Sequence, residues 1–276
     1  MTSTKPPGAR TGRVVDGCYA AQLRDCDGRI SAEHYVSEAL LRRFKRGFTV
    51  EGSSWAAVPK RVGTAALTAK VLCQRHNEAL SGLDAMIGGF YDFLRAAIIG
   101  PHAGSRIFDG EDLERWSMKA LLGLTVSGNI ASGGKKARAS EVPELYLRIL
   151  FGDEEIPERC GFMYIVAKIP SLEANQLTLA LNHHPLDGSE RSGRVFGLTV
   201  RMLNSFQYVT SITEPLETLN NEPLYYRPTR IQLGDPERGR LGLRWGGGDW
   251  RPGKGGLVIG LATTVLSHGE EGHHQR

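Results

Sequence analysis

Two short stretches of the chain carry residue types that could do chemistry together: "CDGRISAEHYV" (26–36) and "VLCQRHNEALSGLD" (71–84). Each sets a cysteine near a histidine. A zinc ion takes four soft or borderline ligands in a tetrahedron, usually delivered as two close pairs. Here the pairs would be Cys18 with Cys26, and Cys73 with His76. The Cys-x2-His pair suits a tight turn at a strand end. The Cys-x7-Cys pair is wider than the common spacing, so "YAAQLRD" must loop out between its ligands. Buried, unligated cysteines beside a satisfied histidine remain the other reading of the same residues. The fourth cysteine, Cys160 in "ERCGFMYIV", reads as a small buried residue opening a strand.

Beside the sulfurs stand residues suited to hydrolysis. Cutting a phosphodiester at neutral pH calls for a base to deprotonate water and a hard cation to absorb charge on the phosphate. Glu33 is a carboxylate of the kind that binds Mg²⁺, and His34 has the pKa range of a base. Asn77 can orient an imidazole or add a neutral oxygen to a metal. Asp84 follows Asn77 by seven residues, which on a helix returns it to nearly the same face. Adjacent strand residues point to opposite faces, so Glu33 and His34 share a site only if the strand ends or bends there.

The order of these parts resembles the HNH endonucleases. A cysteine pair comes first, then a strand ending in Glu-His in "ISAEH" (30–34). Next, "LCQRHN" (72–77) makes a Cys-x2-His-Asn turn opening a helix with an acid further along. In that family a ββα-metal finger holds one catalytic metal, and many members add a structural zinc. The resemblance spans roughly residues 14–95 and implies DNA, or RNA, as the partner. It implies His34 as general base, Glu33 as ligand of a catalytic Mg²⁺ or Mn²⁺, Asn77 as the central asparagine and Asp84 as a further ligand. Cys18, Cys26, Cys73 and His76 would hold the structural Zn²⁺. The chain departs from the family in its wide first pair, in His76 standing for a second cysteine, and in about forty residues between His34 and Asn77.

These side chains need elements to hold them. "GRISAEHYVS" begins as a strand, and "SEALLRRF" (37–44) reads as a short helix capped by Ser37. "ALTAKVLC" (66–73) is a strand leading into "QRHNEALSGLDAMIGGFYDFLRAAI". Leu80, Leu83, Ile87, Phe90 and Leu94 recur there at helical spacing, giving one long helix or a pair broken at Gly88-Gly89. "GPHAGSR" (100–106) reads as a boundary, and 109–130 as an amphipathic helix with Leu113, Trp116, Ala120 and Leu124 on one face. Beyond about 160, short apolar or alternating runs separated by turn residues predict a mostly antiparallel sheet. His183-His184 with Asp187 read as surface residues, and the glycines of 245–256 as a hairpin turn rather than a phosphate loop.

The expected architecture is therefore α+β, with a zinc-stabilised, HNH-like ββα-metal module over 14–99. A helix and a β-rich part of unassigned role follow over 100–267, between disordered ends at 1–13 and 268–276. No apolar run approaches the roughly 20 residues of a membrane span. The first residues lack the apolar stretch of a secretory signal. A cytoplasmic protein with reduced thiols is expected, for which grouped cysteines argue metal before disulfide. Residues 1–100 hold 14 Lys and Arg against 9 Asp and Glu, whereas the remainder hold 20 against 21. The excess positive charge thus lies with the candidate site. Arg42, Arg43, Lys45 and Arg46 in "LLRRFKRGF" either meet a polyanion or form a solvated helix face.

Overall fold

The computed structural model describes residues 2–44, 48–50, 58–100, 102–128, 142–165, 177–183, 195–203, 205–213, 215–216, 218–219, 222–233, 239–246 and 258–260. Lys45, Arg46, His184, Asp187, most of the glycine-rich 245–256 stretch and the C-terminal tail lie outside them.

Strand β1 (Ile30–His34) pairs antiparallel with β4 (Thr68–Cys73), with an irregularity between Ser31 and Ala32. A short helix α1 (Glu38–Leu41) and a small ribbon of β2 (Phe48–Val50) and β3 (Lys60–Val62) fill the connection. β4 runs directly into α2 (Gln74–Ala79), and α3 (Ser81–Ile98) follows after a break at Leu80. The break is therefore not at Gly88-Gly89. Both glycines lie inside α3, because Gly88 leaves room for the Arg43 guanidinium, which crosses there to pair with Asp92 at 2.6 Å. A Cβ on Gly88 would come within 3.0 Å of that guanidinium.

The stretch read as a boundary contains a strand, β5 (Gly104–Asp109), that lies parallel to β13 (Gly239–Arg244). Its glycine and histidine punctuation hides it in the sequence, and only pairing with residues some 135 positions away makes it regular. β13 also pairs antiparallel with β12 (Arg230–Gln232), which is flanked by a parallel β14 (Val258–Gly260). The second sheet holds β6 (Gly161–Ile165), β7 (Leu177–His183), β8 (Val195–Met202), β9 (Phe206–Ser211), β10 (Thr218–Leu219) and β11 (Glu222–Tyr226). Its order is β10-β11-β6-β9-β8-β7, antiparallel throughout. The α+β reading and the mostly antiparallel C-terminal half stand, with two parallel pairs in the smaller sheet as the exception.

Between the β1–β4 ribbon and these sheets lies α4 (Gly110–Ser127), opened by Asp109, whose carboxylate accepts from the Glu111 amide at 3.1 Å. The sequence pattern predicts one apolar face. In the fold the helix is buried nearly all round, so its charged residues need partners. Asp112 takes the Thr2 amide and hydroxyl. Glu114 accepts from the Phe162 amide and from Arg227, and Arg115 donates to the Ile149 carbonyl. The remaining buried charged residue, Lys119, faces the ribbon. Helix α5 (Glu144–Leu150), unmarked in the sequence reading, packs on α4 and brings Phe151 over the cysteine-rich end. One hydrophobic core runs from Cys18 to Leu243 and includes buried Trp116 and Cys160, which stands just before β6 as the sequence suggests.

Residues 2–13, read as a disordered arm, lie along this body. Arg10 and Lys5 pair with Asp153, and the Thr11 amide donates to Asp25. Among the described residues no helix is long and apolar enough to cross a membrane.

Candidate metal centre and adjoining carboxylate site

The three cysteines and His76 are brought together at the end of the ribbon where β4 turns into α2. Cys73 is the last residue of β4 and the N-cap of α2, and His76 sits in the first turn. The Tyr19 amide bonds the Val71 carbonyl at 2.9 Å, which ties the Cys18 segment to β4. The wide Cys18–Cys26 spacing is taken up by a single 3₁₀ turn at Ala21–Leu23, ended by Arg24 in the left-handed region at φ 54°. An ion pair between Asp25 and Arg75, at 3.1 Å and nearly buried, fixes the loop to α2.

All four ligand atoms lie within 4.8 Å of one another, and all four residues are buried. The His76 Nδ1 is 3.6 Å from the Cys18 sulfur, 3.8 Å from that of Cys26 and 3.2 Å from that of Cys73. A zinc ion with Zn–S near 2.3 Å and Zn–N near 2.0 Å separates its ligands by roughly 3.5–3.8 Å. The group therefore fits a tetrahedral Zn²⁺. Burial lowers the pKa of His76 to about 4, which leaves the imidazole neutral with a free lone pair. Burial, together with the neighbouring cysteine charges, raises Cys18 and Cys26. Thiols raised as those of Cys18 and Cys26 are lose their protons readily only to a cation, which is the chemistry zinc supplies. Nε2 of His76 has no hydrogen-bond partner, and the ring rests against Phe151 at 4.8 Å between centroids.

One layer away stand the residues expected to hold a catalytic cation. Glu33 is buried, and its Oε1 lies 2.6 Å from the Lys119 ammonium. Asp84, in the first turn of α3, lies 2.5 Å from the same ammonium. Asp84 also accepts from the Ser37 hydroxyl, which in turn accepts from the Trp116 indole at 2.7 Å. Ser37 thus opens α1, as its position suggests, but its side chain makes no cap and serves Asp84 instead. Burial pushes the Glu33 carboxyl up to about 7, against the pull of Lys119. For Lys119 burial pulls downward, and Glu33 and Asp84 outweigh it, so the ammonium is held protonated.

His34, the last residue of β1, is half-buried, and burial lowers its pKa against the nearby Glu38 carboxylate. The charges of Lys119 and Asp84 also reach it. The bulge before Ala32 and the strand end at His34 let Glu33 turn inward while His34 stays at the edge. Asn77 donates to the Ser31 hydroxyl at 3.0 Å, and Ser31 donates to the Leu72 carbonyl, so Asn77 locks α2 to both strands. The basic residues are less free than their run suggests. Arg42 pairs with Glu38 at 2.9 Å and Arg43 with Asp92.

Lys119 and Tyr19 are the site residues that the sequence reading missed. Lys119 follows Trp116 by three residues and precedes Gly123 by four, a single lysine on the buried stripe of an apolar helix. That placement was a usable signal, because a lysine so placed must find carboxylates. Compared with known proteins, the chain matches no family model, no curated protein and no solved structure.

Proposed function

We propose that the protein is a zinc-organised, HNH-type endonuclease that hydrolyses phosphodiester bonds in DNA, or in RNA, with His34 as the general base. The observation that carries this reading is that His34 ends β1 next to Glu33, within the field of Asp84, with Asn77 bonded to Ser31 of the same strand. A neutral imidazole at the edge of the fold can take a proton from water, and burial keeps His34 neutral at neutral pH. The zinc group would hold the ribbon and α2 in register, a structural role away from the reacting phosphate. Arg42, Arg43, Lys45 and Arg46 would contact phosphates alongside.

The resemblance also calls for Mg²⁺ or Mn²⁺ held by Glu33 with Asn77 or Asp84, to absorb charge on the phosphate. These residues do not fit a divalent cation as they stand. The Lys119 ammonium already occupies the point where the two carboxyl groups meet, and Asn77 is committed to Ser31. The proton transfer is accordingly assigned to His34, with no step drawn through a metal. The same observation favours a second reading, a zinc-containing module that binds nucleic acid or protein without cutting.

The deciding assay uses the full chain carrying one zinc per molecule, a content that Cys73→Ser should abolish. Supercoiled plasmid and single-stranded substrates are incubated with and without added Mg²⁺ or Mn²⁺. Cleavage that falls at least roughly a hundredfold in a folded, zinc-loaded His34→Ala supports the nuclease. No cleavage by zinc-loaded wild type rejects it and leaves the binding module, whose affinity for duplex should fall steeply with salt.

A further inference from the structure

The carboxylates of Glu33 and Asp84 come from β1 and α3, yet they converge on one point, and that point is filled by a cation belonging to the chain. Lys119 is 1% exposed, so its ammonium has exchanged water for these two oxygens. One ammonium thus serves two carboxyl groups. A further polar group near the point is under-used. The Tyr19 hydroxyl, fully buried and in the field of both Glu33 and Asp84, has no hydrogen-bond partner among the described residues. Two convergent carboxylates with a spare phenol oxygen are the donor set of a hard, oxygen-seeking cation. Asp84 keeps 25% of its side chain exposed, so the point is not sealed from dissolved ions.

We propose that the Glu33–Asp84 pair is a hard-cation site whose resident ion is the Lys119 ammonium, and that a divalent cation binds there only by displacing it. A second cation beside a buried ammonium meets strong repulsion, whereas the two carboxylates alone match a doubly charged ion. Lys119 thereby sets whether the site holds metal. This deepens the nuclease reading and rests on it for the use made of the site, while its test reads cation binding alone.

The experiment titrates Mn²⁺ into the zinc-loaded full chain and follows free Mn²⁺ by electron paramagnetic resonance. Mn²⁺ competes poorly for thiolates, so the zinc group does not confuse the count. Wild type should bind Mn²⁺ weakly. Lys119→Met should gain one Mn²⁺ per chain, at least roughly tenfold tighter, because the competing charge is gone. Adding Glu33→Gln to that variant should remove the gain. Equal Mn²⁺ affinity in wild type and Lys119→Met, or a gain that survives Glu33→Gln, would overturn the proposal. Should Lys119→Met fail to fold, the same titration on Lys119→Gln, whose neutral amide still donates to one carboxylate, decides it by the same criteria. The two readings fail separately. A gain of Mn²⁺ in Lys119→Met without any cleavage by wild type sinks only the nuclease, and cation-dependent cleavage with unchanged Mn²⁺ binding sinks only this inference.

Discussion

The imidazole of His34 sits at the end of β1, where lost hydration disfavours its charged form more than the Glu38 carboxylate favours it. This has a consequence for stability that does not depend on catalysis. An unperturbed histidine has a pKa of about 6.5. With the folded-state value below that, the unfolded chain binds the proton more readily, so His34 disfavours folding as pH falls through about 6.5. Urea unfolding at pH 7.5 and pH 5.5 should show wild type losing more stability on acidification than His34→Gln. Parallel losses would mean that His34 is not depressed. Zinc-ligand protonation weakens both proteins alike and cancels in the comparison. At this scale the sequence was readable where ligand chemistry is typed by residue. Cys18, Cys26, Cys73 and His76 announce a metal by kind and count, and the fold gathers them. Lys119 announces nothing by kind, because a lysine is ordinarily solvated, and its two carboxylates arrive from distant elements.

Helix α4 is the element on which the arrangement depends, since it delivers Lys119 to the ribbon and Glu114 to the large sheet. Its approach to the N-terminal half is set by Gly123. A Cβ there would lie 2.5 Å from the Tyr35 Cβ and 3.1 Å from its Cα. Gly123→Ala should gain helix propensity yet lose net stability, by about 1–3 kcal/mol, because the clash is with a packed residue close to its backbone. Urea midpoints measure it, and a stabilised variant would show that α4 can back away without loss. The burial of α4 all round was only half legible. Leu113, Trp116, Ala120 and Leu124 mark one face, while the opposite side is buried only because Thr2, Arg227 and the Ile149 carbonyl arrive to satisfy its charges. β5 was missed for a related reason: its regularity comes from β13, and nothing local specifies it.

On the scale of the whole molecule, the metal group and the carboxylate site share one core with the two C-terminal sheets. Phe151 rests against His76, and Lys119 pairs with Glu33 and Asp84, so residues well past the β1–β4 ribbon complete this region. That dependence gives the molecule a history during its synthesis. The four candidate zinc ligands are all present once His76 has left the ribosome, but Lys119 is 43 residues behind. At about 5–20 residues per second, that gap lasts roughly 2–9 s. Once Asp84 has followed His76, it and Glu33 stand as paired carboxylates in water for the rest of that interval, without their ammonium. Nascent chains arrested short of Lys119 should already hold zinc, yet be cut by protease around residues 30–40, and chains that expose Phe151 should resist. Equal resistance of the two would show that the N-terminal ribbon closes unaided. Metal loading would then come first and charge neutralisation second, so the newborn chain passes through a period when its carboxylate pair is open to whatever ion the surroundings supply.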